Sequence, residues 1–154
     1  WTSHLAELQP EMFCEISPEL AAERGLVNGG WATIISARTA IEARVLVTDR
    51  VAPLQVAGRT LHQVGLPYHW GTKGLSTGDS ANDLFSVVLD PNVHIQETKA
   101  ATCDVRPGRR PRGPALRALV ESYPHIDHDH GPGNVQRTEE GDDPGGAATE
   151  GGHA

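Results

Sequence analysis

Cysteine is scarce in this chain. Cys14 and Cys103 stand far apart, and no Cys-x-x-Cys occurs. This argues against an Fe–S cluster or a structural zinc site built from this chain alone. Each cysteine sits in a short apolar, strand-like run and is expected to be a buried free thiol. No apolar run approaches the ~20 residues of a membrane-spanning helix. Positive charge is short as well: 13 Lys and Arg against 20 Asp and Glu leave a formal net charge of −7, which argues against nucleic acid as a partner. Hydrophobic residues make up only 38%, while 17 Gly and 11 Pro are many, and much of that Gly and Pro follows Pro107. The first two-thirds therefore has enough apolar content for one domain with a core.

Charge is unevenly placed. Arg106, Arg109, Arg110, Arg112 and Arg117 form a basic patch. Asp127, Asp129, Glu139, Glu140, Asp142, Asp143 and Glu150 form an acidic tail. From His125 onward there is no hydrophobic periodicity, and Gly131-Pro132-Gly133 and Gly141-Asp142-Asp143-Pro144 read as disorder. His125, Asp127, His128, Asp129 and His130 are metal-ligand types in a solvated tail, and no metal site is assigned to them. The expected organisation is a β domain over 1–106, a basic extension with a short helix over 107–124, and a disordered acidic tail over 125–154.

Met12 to Ile16 is an apolar run suited to a buried strand. Ser17-Pro18-Glu19 predicts a helix start, with an N-cap serine, proline at the first position and an acid in the first turn; Gly25 supplies the C-cap. Asn28-Gly29-Gly30 predicts a turn. Trp31–Ser36 and Ala40–Thr48 predict a hairpin. In its second strand Ile41, Ala43, Val45 and Val47 share a buried face, with Glu42, Arg44 and Thr48 on a wet one. Thr60 to Val64 and Ala100 to Val105 predict two more strands, the last stopped by Pro107-Gly108. Ala81 to Phe85 predicts a helical turn, and Pro114 to Tyr123 a short surface helix. These elements indicate a mainly β fold with short helices, arranged as a small barrel. The opening Trp1-Thr2-Ser3-His4 reads as the middle of something longer.

Between Gly65 and Lys99 lies a Gly-rich stretch too long for an idle connector. Glycines at 65, 71, 74 and 78 allow close backbone approach to a ligand, and successive amides in such a loop form an anion-binding concavity. His69, Lys73 and Lys99 add donors, and Asn82 offers an amide that pairs with a heterocycle edge. A large, anionic, heterocyclic ligand is expected here. Gly74-Leu75-Ser76-Thr77-Gly78 matches the G-x-S-x-G pattern but lacks the strand before and the helix after that a serine nucleophile requires.

The segments "LAELQPEMFCEISPELAAERGL", "HQVGLPYHWGTKG", "SANDLF" and "LDPNVHIQETKAATCDVRPG" occur in an order that resembles the C-terminal cofactor-binding domain of molybdenum- or tungsten-dependent formate dehydrogenases, of the dimethyl sulfoxide reductase superfamily. The likeness runs over about residues 1 to 117. It implies a double-psi β-barrel of the aspartate-decarboxylase-like kind, here missing its first strand. It also implies part of a cradle for bis-molybdopterin guanine dinucleotide, carrying Mo or W. The resemblance assigns cofactor contacts to His69, Trp70, Gly71, Lys73, Asn82, Glu97, Thr98 and Lys99; related enzymes often carry an aromatic residue where this chain has Thr98. No catalytic residue and no metal ligand is expected in this chain.

The implied function is to hold the cofactor for two-electron oxidation of formate to carbon dioxide, the isolated piece being inactive. An Fe–S cluster belongs to the missing N-terminal part. The implied partners are the rest of the catalytic subunit and Fe–S or electron-transfer subunits, in a bacterial cytoplasm or periplasm or at the membrane. The alternatives are a sibling enzyme such as a nitrate reductase, or a non-catalytic β-barrel used for interaction.

Overall fold

The computed structural model describes residues 3–68, 70, 75–76, 78–96 and 101–123. His69, Gly71, Lys73, Glu97, Thr98 and Lys99 lie outside the described residues, as does the acidic tail. The elements are α1 (Ser3–Leu8), β1 (Phe13–Ile16), α2 (Pro18–Arg24), β2 (Trp31–Ile35), β3 (Ala40–Val47), β4 (Leu54–Val56), β5 (Arg59–Leu61), β6 (Val64–Gly65), a 3-10 turn (Ala81–Leu84), β7 (Asp104–Pro107) and α3 (Pro114–Glu121). No helix among the described residues is long and apolar enough to cross a membrane.

Five strands form one curled, half-barrel sheet in the order β6-β1-β3-β2-β7. β3 lies at its centre, parallel to β1 and antiparallel to β2. A parallel neighbour needs a crossover, and the chain makes it through α2 and β2. α2 is built as its sequence predicts. The Ser17 hydroxyl accepts the Leu20 N–H at 3.1 Å, and Gly25 takes φ 65° to close the C-terminus. Its buried Leu20 and Ala21 join Cys14, Ile16, Ile34, Ile41 and Val45 in the main core. Each fully buried isoleucine there contributes about 1.5–3 kcal/mol. The Cys14 thiol is pushed up to about 12 by burial, which makes it inert at neutral pH.

Several expectations need correction. Thr60 to Val64 is not one strand. Ala57 (φ 49°) and Gly58 (φ 75°) form a tight two-residue turn that folds β5 back on β4, and only Val64–Gly65 continues to pair with β1. The closing strand starts at Asp104, because β2 ends at Ile35 and leaves nothing for residue 103 to pair with. It runs through Pro107, tolerated where that edge needs no donor. Cys103 therefore falls outside the strand, and it is exposed rather than buried. α1 was not foreseen; none of its residues is buried. α3 is half-covered: Leu116 and Leu119 pack on Ile35, Ala40 and Tyr123. The face of β3 expected to be wet is dry at Glu42, which is 7% exposed.

Candidate functional site

The dry Glu42 follows from strand geometry. The Arg44 N–H donates to the Met12 carbonyl at 2.8 Å, where β3 begins to pair with β1. Two residues earlier the Glu42 N–H points the same way, beyond the start of β1. An unpaired buried N–H is costly, and a side chain of the long loop supplies the acceptor: Asp79 Oδ2 takes it at 2.9 Å. Arg110 completes the Asp79 carboxylate with a two-pronged contact, Nε to Oδ2 at 2.7 Å and Nη2 to Oδ1 at 2.9 Å.

Glu42 is held in the same way. Oε1 accepts from Arg109 Nη2 at 2.6 Å and Arg112 Nη2 at 2.9 Å, and Oε2 accepts the Arg110 backbone N–H at 3.1 Å. Arg109 and Arg44 also stack on the Trp31 ring, at 4.4 and 4.1 Å from its centroid. Burial pushes both carboxyls up, but the guanidiniums outweigh it. Arg109 and Arg112 at Glu42, and Arg110 with the Glu42 N–H at Asp79, hold both below the usual carboxylate range.

Asp79 is thus a fixed post in the loop, and candidate ligand groups stand on either side of it. Before it comes Gly78, where a Cβ would lie 2.9 Å from Trp70 Cδ1 and 3.0 Å from Trp70 Nε1. Only glycine lets the backbone lie this close to the indole. Trp70 meets Phe13 edge-to-face, with centroids 6.5 Å apart, and packs on the main core. Its Nε1 is buried with no hydrogen-bond partner among the described residues. After Asp79 comes Ser80, whose hydroxyl caps the 3-10 turn by accepting the Asn82 N–H at 3.3 Å. Ala81 and Leu84 bury themselves in the core. The Arg38 guanidinium donates to the carbonyls of Asn82 and Phe85. Asn82 is exposed; its backbone is used by the turn, while its side-chain amide makes no hydrogen bond among the described residues.

Beside this turn lies an open cleft of about 330 Å³, floored by Ala40 and Ile41 and walled by Arg38, Asp79, Asp83 and Arg110. That size is at the low end of small-molecule sites. Of the residues that the sequence marks as cofactor contacts, Trp70 touches Gly78, just before the pinned carboxylate, and Asn82 follows that carboxylate by three residues. The others lie outside the described residues. Sequence reasoning missed Arg38, Glu42, Asp79 and Arg110. The basic run at 106–112 was visible, but its acidic partners on β3 and the loop carry no local signal. Ser76 donates to the Gln9 carbonyl at 3.4 Å, and its described neighbours at 75 and 78–80 lie in no strand or helix.

The family described as "Molydopterin dinucleotide binding domain" matches residues 1–102. Formate dehydrogenase 2 subunit alpha (cytochrome c-553) of Nitratidesulfovibrio vulgaris is 42% identical over 103 residues, covering 67% of this chain and 10% of that protein. Formate dehydrogenase subunit alpha of Megalodesulfovibrio gigas is 42% identical over 105 residues, covering 68% and 10%. The nitrate-inducible formate dehydrogenase major subunit of Escherichia coli K12 is 44% identical over 104 residues, covering 65% and 10%. The chain spans about a tenth of the length of these curated relatives.

Proposed function

The chain belongs to the molydopterin dinucleotide binding domain family, and on that premise we propose that its long loop forms part of the cradle of a bis-molybdopterin guanine dinucleotide in a formate dehydrogenase catalytic subunit. The observation that carries this reading is the buried Trp70 N–H, which has no hydrogen-bond partner among the described residues. A desolvated donor costs about 1–3 kcal/mol unless an acceptor arrives, and a ligand is the natural source of one.

The rest of the donor set fits the same group. Pterin and guanine share an edge made of a carbonyl, a ring N–H and an amino group. Arg38 offers a donor and Asp83 an acceptor in the lining of the cleft, and the Asn82 amide, without a hydrogen bond among the described residues, offers both. His69, Gly71, Lys73, Glu97, Thr98 and Lys99 belong to the same proposed cradle, with Lys73 and Lys99 suited to its anionic groups. When bound, the cofactor's molybdenum or tungsten supplies the two-electron oxidation of formate to carbon dioxide. This chain's residues bind and orient it, and no proton or electron transfer is assigned to them. An Fe–S cluster and electron-transfer subunits, by this reading, lie outside the chain.

Acid release of fluorescent pterin, guanine nucleotide analysis and metal analysis of the complete gene product test the proposal. It predicts two pterins, two guanine nucleotides and one Mo or W per polypeptide. A folded protein that carries none of the three when expressed with its cofactor pathway intact contradicts it. One observation favours a second reading, an interaction surface: Val87, Val88, Leu89, Val93 and Ile95 are all at least half exposed within a few residues of one another.

A further inference from the structure

Asp79 adjoins the backbone on which both placed cofactor candidates depend. Gly78 lies against the Trp70 indole, with no room for a Cβ, and Ser80 caps the Asn82 N–H. Whatever fixes Asp79 therefore steadies Gly78 against the indole on one side and the Ser80 cap of Asn82 on the other. One strand N–H, from Glu42, orients a single carboxylate oxygen. The Arg110 fork engages both oxygens and so fixes the carboxylate plane. Asp79 and Arg110 are each only 19% exposed at the side chain, so water competes weakly for either. Arg110 is held in turn by its own N–H on Glu42, and Glu42 by Arg109 and Arg112.

We propose that Arg110 is a positioning residue for the cofactor loop: its bidentate grip on Asp79 holds the backbone at 78–82 in a shape ready to receive the pterin dinucleotide. This rests on the cofactor reading above. It gives the basic segment after β7 a part in the site through Asp79. Lysine does not substitute for it, because a point charge on a flexible stem cannot make the fork. Preorganisation of this kind appears as affinity, since a loose loop must be ordered at the moment of binding.

The test uses the complete gene product. Hydrogen exchange at 80–85 is measured on cofactor-free protein well below its melting temperature, beside pterin retention on the loaded protein. Arg110→Gln is expected to raise exchange at 80–85 at least about tenfold, with β2 and β3 unchanged except at the Glu42 amide that Asp79 accepts, and to weaken pterin retention by about tenfold. Arg110→Lys should recover only part of either effect. In an Asn82→Ala background, Arg110→Gln should cost little further pterin, because both changes act on one contact. Asp79→Asn, which keeps an acceptor for the Glu42 N–H, repeats the test if Arg110→Gln folds poorly. Unchanged exchange at 80–85 overturns the inference. So does a pterin loss that adds fully to that of Asn82→Ala while β3 loosens equally. If Arg110→Gln loosens 80–85 but neither it nor Asn82→Ala alters pterin content, the cofactor reading is what fails, and the positioning role falls with it.

Discussion

Residues 79–85 and 86–96 follow one another in the same loop and are built in opposite ways. The first is held from outside itself. Asp79 is gripped by β3 and Arg110, Ala81 and Leu84 enter the core, and Arg38 takes the carbonyls of Asn82 and Phe85. The second holds itself. Asp90 Oδ1 accepts the N–H groups of Asn92 and Val93 at 2.8 and 2.9 Å, the His94 N–H donates to the Asp90 carbonyl, and Gln96 Nε2 donates to the Ser86 carbonyl at 2.9 Å. Its aliphatic side chains face outward, Val87 at 80% exposure, whereas Leu84, three residues earlier, is 6% exposed. Apolar character alone does not decide burial in a loop; a partner surface within reach does.

The contrast predicts a graded set of outcomes. Leu84→Ala should destabilise by about 2–5 kcal/mol in chemical denaturation, through lost transfer energy and a residual cavity. Val87→Ala should stay within about 0.5 kcal/mol; equal effects would erase the distinction between the two segments. Gly78→Ala comes next, at about 1–3 kcal/mol, because its Cβ must displace the Trp70 indole. A shift in Trp70 emission should accompany it, and an unchanged spectrum would mean that the contact relaxes elsewhere.

A smaller effect concerns pH. Glu42 and Asp79 have folded values below their unfolded ones. Their contribution is thus fully present above the ordinary carboxylate range and is lost as pH falls through the depressed folded values. Asp79→Asn should flatten that acid-side loss in denaturation curves taken at successive pH values. A steeper loss would put the labile carboxylates elsewhere. Asp90→Ala should be smallest: faster exchange at Asn92 and Val93, with no change in melting temperature.

What the sequence revealed divides along the same line. α2 was legible because Ser17, Pro18 and Gly25 act on backbone groups within four residues of themselves. The turn at Ala81–Leu84 was legible for the same reason, since Ser80 caps it locally. The ionic clasp was not. Glu42 and Arg109 are 67 positions apart and Asp79 and Arg110 are 31 apart, and no period links them. β5 and β6 read as one strand because alternation continues across both, while the Ala57-Gly58 turn that separates their partners lies upstream. The candidate site was legible as a list of donors in a glycine-rich loop. Its geometry was not, because the Asn82 amide, unused among the described residues, and the buried Trp70 N–H emerge only from packing.

The most direct test of the cofactor cradle is pterin content per purified polypeptide in Asn82→Ala, read beside melting temperature. Because the Asn82 side chain makes no hydrogen bond among the described residues, its removal should leave the melting temperature of cofactor-free protein unchanged. A ligand edge deprived of one matched partner should then lose about one to two decades of affinity, seen as pterin-depleted protein. Full pterin content in Asn82→Ala, with His69→Ala and Trp70→Phe equally replete, would contradict the account and leave the exposed aliphatic stretch at 87–95 as the better guide to what this loop does.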